Sequence, residues 1–203
     1  MKILRPEKTL KDSFVIELGQ KMHLVIYSNQ DTTTDLSFKL KNNAKISIQC
    51  IILNSGSFKF HFEQDENSEL VFNGAFALRR EQELNFGYTT IKLGRNSRSH
   101  FELVGTLDDK AKKISTETID FKVGATNAEG YETEKVTLLS NETQNVAKPI
   151  ILCAEENMHG EHNFSSGHLD PETIDYLRAR GVNPESVKRI ISREQILRVA
   201  KLC

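Results

Sequence analysis

The feature that most constrains this chain is a long interval without proline. Pro6 and Pro149 bracket it, and only Pro171 and Pro184 follow. Inside it the apolar residues alternate with polar ones. Phe58, Phe60 and Phe62 interleave with Lys59, His61 and Glu63, and Ile46, Ile48, Leu70, Phe72, Leu84, Phe86 and Tyr88 keep the same period of two. Ile119, Phe121 and Val123 continue it. Such alternation puts one set of side chains on one face of a strand. Proline removes a ladder donor, so its absence suits a chain that is nearly all paired strand. No stretch of the interval holds apolar residues at helical spacing for three turns.

A repeat runs through the strands. Asn43-Ala44-Lys45-Ile46 and Asn67-Ser68-Glu69-Leu70 each open an apolar strand, and Asn96-Ser97-Arg98-Ser99 precedes Phe101-Glu102-Leu103-Val104 in the same manner. The offsets, 24 and 29 residues, are the length of one coil in a solenoid. There each unit's apolar face is covered by the next, and corner asparagines bond backbone groups. An antiparallel sandwich whose turns use Asn fits the periodicity equally well.

The character of the chain changes near residue 169, which divides it into a strand-rich body, 1–169, and a helical tail, 170–203. Asp170-Pro171-Glu172 is a helix start, with an Asp N-cap, Pro at the first helical position and an acid in the first turn. Ile174 and Leu177 mark the apolar face, and Gly181 is a natural stop. Asn183-Pro184-Glu185 repeats the start, followed by Val187, Ile190 and Ile191. Ser192-x-x-Gln195 reads as a capping box for a third helix carrying Ile196, Val199 and Leu202. All 11 phenylalanines lie at or before Phe164.

Bulk properties exclude several classes. The net charge is −1, so no global field draws nucleic acid or an anionic membrane. No run approaches the roughly 20 apolar residues of a membrane span, and the N-terminus lacks the apolar stretch of a secretory signal. The three cysteines, Cys50, Cys153 and Cys203, are far apart and form no CxxC, which points to a reducing cytoplasm. Neither a nucleotide-binding GxxxxGK[ST] nor a GxSxG nucleophile elbow is present. No spacing singles out a catalytic acid and base, so no catalytic residue is assigned and the chain reads as a non-enzyme.

Gly167-His168-Leu169-Asp170 and Tyr176-Leu177-Arg178-Ala179-Arg180-Gly181-Val182 resemble the C-terminal signature of the SufB/SufD family, G-x-L-D-E-x-x-x-F-Y-L-x-S-R-G-I. Glu161-His162 is similar to the E-H of the SufB pattern, and His162 also falls on the histidine of the SufD pattern S-H-G-A-T. Leu138-Leu139-Ser140 and Lys148-Pro149 sit where the family carries L-L-S and K-P. The resemblance implies a mainly β fold, a right-handed parallel β-helix with a small C-terminal helical subdomain. It also implies a scaffold or accessory subunit of iron–sulfur cluster assembly. Such a subunit pairs through its β-helix, as a homodimer or with a SufB/SufD-like subunit, and docks a SufC-type ABC ATPase through its C-terminal helices. Tyr176, Leu177, Arg178, Arg180 and Gly181 are the implied partner-binding residues, with an aromatic anchor inside a polar rim. Two departures bear on chemistry. Glu134 stands where SufB carries its scaffold cysteine, and Gly160-Glu161-His162-Asn163 replaces the C-S-H-G of SufD-type members. The chain is also shorter than typical members, without their N-terminal helical region. A SufD-like role follows, with no firmly bound cofactor and a transient Fe–S cluster or iron as cargo.

Ligand-type residues are densest in Cys153, Glu155, Glu156, His159, Glu161, His162 and His168. His159-x-x-His162 is a spacing that puts two imidazoles near one metal, and Cys153 offers sulfur. His162, Glu161, His159 and Cys153 are therefore the candidate metal or cluster residues. The bland alternative is a solvated corner between the last strand and the first helix. Cys153 follows Pro149-Ile150-Ile151-Leu152 and is expected to be buried, as is Cys50, while Cys203 is expected to be exposed. A different class of function, a stand-alone β-helical metalloprotein or enzyme, would use His159, His162 and Glu161. A self-associating solenoid would pair through its open last coil.

Overall fold

The computed structural model describes residues 1–201, with only the backbone for Pro171. Thirteen strands wind into two parallel sheets that face each other. One sheet holds β1 (Lys2–Leu4), β3 (Lys21–Ser28), β5 (Lys45–Ile52), β7 (Glu69–Leu78), β9 (Arg98–Leu107), β11 (Ala128–Leu138) and β13 (Met158–His168), in that order. The other holds β2 (Thr9–Ile16), β4 (Thr32–Leu40), β6 (Gly56–Gln64), β8 (Glu83–Lys92), β10 (Lys112–Phe121) and β12 (Gln144–Cys153). Sequence neighbours never pair. Each strand pairs with the one two places on, always parallel, so the chain is a parallel β-helix and the sandwich alternative is excluded.

The repeat read from the asparagines is the pitch of the coil. Lys21 stands opposite Lys45, Lys45 opposite Glu69, Glu69 opposite Arg98, Arg98 opposite Glu129 and Glu129 opposite His159. Asn43, Asn67, Asn96 and Asn127 occupy one corner with φ of 58, 54, 55 and 56°. A left-handed backbone is costly for most side chains, and asparagine tolerates it by bonding locally. The amides also stack. Asn96 Nδ2 donates to Asn67 Oδ1 at 3.0 Å, and Asn157 Nδ2 to Asn127 Oδ1 at 2.8 Å.

Alternation sends the aromatic residues inward. Phe58, Phe60, Phe62, Phe72 and Tyr88 are buried, and rings stack from coil to coil: Phe14 on Phe38 at 5.1 Å, Phe38 on Phe62 at 4.9 Å, Phe72 on Phe101 at 5.3 Å. Val123 departs from the expected period, because β10 ends at Phe121 and Val123 lies exposed in the following turn.

The tail forms two helices, α1 (Pro171–Ala179) and α2 (Pro184–Ala200). Asp170 caps α1 by accepting from the Glu172 amide at 3.2 Å, and Asn183 caps α2 by accepting from the Ser186 amide at 2.8 Å. Gly181 takes φ +81° after α1, as its position predicts. The third helix expected at Ser192 does not start there. Ser192 lies inside α2, and its hydroxyl meets that of Thr106 at 2.8 Å instead of capping a new turn. Leu202 and Cys203 lie outside the described residues. Helix α2 covers the outer face of the first sheet, where Val199, Ile196 and Ala200 pack on Ile51, Ala75 and Val104. Polar clamps flank this seam: Lys188 with Asp108 at 2.6 Å, Arg198 with Glu102, and Gln49 Nε2 donating to the Val199 carbonyl at 3.3 Å.

Candidate functional site at the open end of the coil

The interior changes chemistry in its last coils. Below, most inward positions are aromatic or aliphatic, with Gln64, Thr90 and Lys92 as polar exceptions; in the coil made by β10 and β11 they include Lys113, Ser115 and Glu117 on one side and Glu132 and Glu134 on the other, all buried. Register places Glu117 on Tyr88, Glu132 on Phe101, and His162 of the final coil on Glu132. Buried charges need partners, since desolvation otherwise disfavours them strongly. One pair is complete: Lys113 Nζ lies 2.6 Å from Glu134 Oε2 and 2.6 Å from Ser115 Oγ. Deeper still, Lys92 Nζ donates to Gln64 Oε1 at 2.7 Å.

The remaining groups are less well matched. Burial pushes the Glu117 carboxyl up to about 8, helped by the charge of Glu134 and opposed by Lys113. Burial likewise raises Glu132, against the contact with His162 and the charge of Lys92. Burial drives the Lys92 ammonium well below the usual lysine range, and it raises the Tyr88 phenol, with Glu132 adding to the effect. Among the described residues, both oxygens of Glu117, both oxygens of Glu132 and both nitrogens of His162 lack a hydrogen-bond partner.

His162 sits at the mouth of this lumen. Among the described residues no further strand covers β12 or β13, and inward residues of the last coil such as Ile151, Met158 and Phe164 are only half-buried. The His162 side chain is 12% exposed, and its Nδ1 lies 2.7 Å from Oε2 of Glu132, which is 1% exposed.

The other candidates fall elsewhere. Strand parity separates residues three apart, so His159 and Glu161 point outward from β13 while His162 points inward. The His159 ring leans on Tyr131 at 5.2 Å, and its Nε2 lies 3.7 Å from Glu161. The His159-x-x-His162 spacing, expected to bring two imidazoles near one metal, instead divides them between two faces of the strand. Cys153 is exposed, contrary to expectation, because it ends the uncovered edge strand β12. Cys50 is buried in the core as expected, and burial raises its thiol strongly. Among the described residues no group of three His, Cys, Asp or Glu side chains converges on a metal position. His162 and Glu132 supply two donors, half of a tetrahedral set.

On the tail, Tyr176 is exposed and the Arg180 guanidinium lies 4.6 Å from its ring centroid. Arg178 is exposed and reaches Asp175 at 3.7 Å. Leu177 is half-buried, and its carbonyl accepts from the Arg180 and Val182 amides at 3.1 Å each. Between tail and coil lies an apolar pocket of 280 Å³ lined by Leu138, Leu139, Leu169, Ile174 and Val187. Among the described residues no helix is long and apolar enough to cross a membrane.

Glu132, Glu117, Lys113 and Lys92 were not among the candidates read from sequence. Their signal was available: Glu117 shares parity with Ile119 and Phe121, and Glu132 with Ala128 and Val136. A charged residue at an inward position of a closed coil is the anomaly to look for.

Fold and site together define a parallel β-helical protein with an ionisable lumen at its C-terminal end and a helical tail. The chain belongs to the SufBD core family, since the family model described as "SUF system FeS cluster assembly, SufBD core domain" matches residues 21–195. Among curated proteins it is similar to the iron–sulfur cluster assembly protein SufD of Bacillus subtilis (strain 168), 30% identical over 113 residues, or 56% of this chain and 26% of that protein. The match covers about a quarter of that relative's length.

Proposed function

We propose that this chain is a scaffold or accessory subunit of an iron–sulfur cluster assembly complex, non-catalytic itself and working in a reducing cytoplasm. The observation that carries this reading is His162. Its surroundings resemble the family's histidine motif, and it sits at the uncovered end of the coil, 2.7 Å from a buried carboxylate. Two donors do not complete an iron site, but they fit half of one. The rest would come from a facing subunit or from sulfide, which suits a thiophilic cargo held in transit.

The uncovered edges of β12 and β13 supply the pairing surface. Unpaired strand edges are templates for another chain, so a second SufB/SufD-like subunit, or a second copy, meets the β-helix there. The tail, residues 170–203, docks a SufC-type ABC ATPase. Tyr176 stacked by Arg180 is an anchor of the kind found at interface centres, with Arg178 on the rim. The stand-alone metalloenzyme using His159, His162 and Glu161 gains no support from geometry, as β13 divides those residues between two faces.

Anaerobic reconstitution with ferrous iron, sulfide and a SufB-type subunit tests the reading. Cluster bound per complex is expected to fall about tenfold or more in His162→Ala, using the sensitivity typical of metal-site substitutions. Wild-type loading by an intact His162→Ala complex would overturn it.

A further inference from the structure

A cleft of 440 Å³ lies between the first turns of α2 and the coil corners that follow β7 and β9, and α1 contributes nothing to its lining. Its floor is apolar: Leu78 is buried, and Leu53 and Ala77 are half-buried. Its rim carries Arg79, Arg80, Lys188 and Arg189 against Asp108, Asp109 and Glu185. These charges do not cancel one another in place. Lys188 spans two of the acids, 2.6 Å from Asp108 and 4.0 Å from Glu185. Asp109 Oδ2 accepts from the Arg80 amide at 2.9 Å. The guanidinium groups are left over. All three arginines are exposed, and among the described residues none of them is in an ion pair. Arg189 donates to the Ser186 hydroxyl at 2.9 Å.

Arg80 is an odd occupant of its corner. Its φ is 60°, and Asp109 takes 56° at the matching position one coil on. Short polar side chains tolerate that backbone, and a long one gains nothing from it. A guanidinium is therefore held at the cleft at a cost to the backbone. Guanidinium groups match carboxylates through paired N–H donors, and the floor suits an aliphatic or aromatic side chain. The three acids on the same rim repel a dense polyanion such as a nucleic acid. An extended peptide that alternates acids with apolar residues satisfies both surfaces.

We propose that this cleft is a docking site for an acidic peptide segment of a protein partner. Its carboxylates meet Arg79, Arg80 and Arg189 while an apolar side chain rests on Leu53, Ala77 and Leu78. The site is separate from the ATPase-docking residues of α1 and does not depend on that reading.

The test titrates the full chain into fluorescein-labelled Glu-Glu-Leu-Glu-Phe-Glu at low ionic strength, read by anisotropy. Saturable binding is expected, and the version with lysine for every glutamate should not bind. Arg79→Glu combined with Arg189→Glu should weaken the Kd about tenfold or more, the scale of one lost charge-assisted hydrogen bond. Arg80→Asn should weaken it to a similar degree while the Tm holds or rises, because asparagine suits the left-handed corner. A purely structural role for Arg80 does not predict that split. Arg178→Glu with Arg180→Glu is expected to leave the peptide Kd unchanged, so the cleft and the ATPase reading fail separately. No saturable binding by the wild type overturns the proposal, as does a Kd unmoved by the changes at Arg79, Arg80 and Arg189. Loss of binding in the Arg178 and Arg180 variant would move the peptide to α1 and overturn the assignment to the cleft. Tighter binding of a single-stranded oligonucleotide than of the peptide would overturn the choice of partner.

Discussion

Glu117 illustrates what the lumen costs the fold. It is buried against Tyr88 from the coil below, with Glu134, Lys113 and Ser115 as its charged and polar neighbours. Folding raises its carboxyl from 4.5 to about 8. Across that window the folded chain holds a proton that the unfolded chain has released, so stability falls as the pH rises. The contribution is whole below 4.5 and gone above about 8. Thermal unfolding followed from pH 5 to pH 9, on the scale set by these values, should show the wild-type Tm dropping more steeply than that of Glu117→Gln. Parallel curves for the two would contradict the assignment. Lys113 and Glu134, by contrast, meet at 2.6 Å and neutralise each other. The sequence suggested Glu134 only as the place of a missing cysteine. That it faces inward onto a lysine from the opposite sheet depends on coil winding, which no local pattern encodes.

At the scale of elements, the strands were legible and the helices only partly so. Period-two alternation located the strands around Phe58–Phe62 and Leu84–Tyr88 because each inward residue stays on one face along the whole strand. The Asn43, Asn67 and Asn96 corners were legible because a left-handed turn restricts the residue that can sit there. In the tail, a local capping pattern at Ser192 lost to tertiary contact. Continuing the helix lets Ser192 reach Thr106 and brings Val199 onto the sheet face. Helix α2 is held by a small apolar seam and its polar clamps, so it should be separable from the coil. Val199 is fully buried in that seam. Val199→Asp would bury an unpaired charge and should release α2 while leaving the coil folded. Hydrogen exchange is expected to show lost protection across Pro184–Ala200 with the strand amides unchanged. Loss of protection throughout the coil would mean that α2 is integral to its stability.

For the molecule as a whole, the family signature and the fold agree because both depend on the same C-terminal coil and helix junction. His162 was found from a motif, yet its meaning came from winding. The motif also offered His159 and Glu161, and only strand parity shows that these lie on the other face. The chain therefore has an uncovered coil end at β12 and β13 and a tail with an exposed, arginine-stacked tyrosine, two of the surfaces proposed above for partners. The proposal that this chain is a subunit of a SUF-type assembly machine predicts stable association with an ABC ATPase through that tail. The direct measurement is co-expression with a SufC-type ATPase, followed by size-exclusion chromatography with mass determination. The account predicts a complex containing both proteins, lost when Arg178 and Arg180 are together changed to Glu while the chain itself stays folded. Separate elution of the wild-type chain and the ATPase, at every concentration tried, would contradict it.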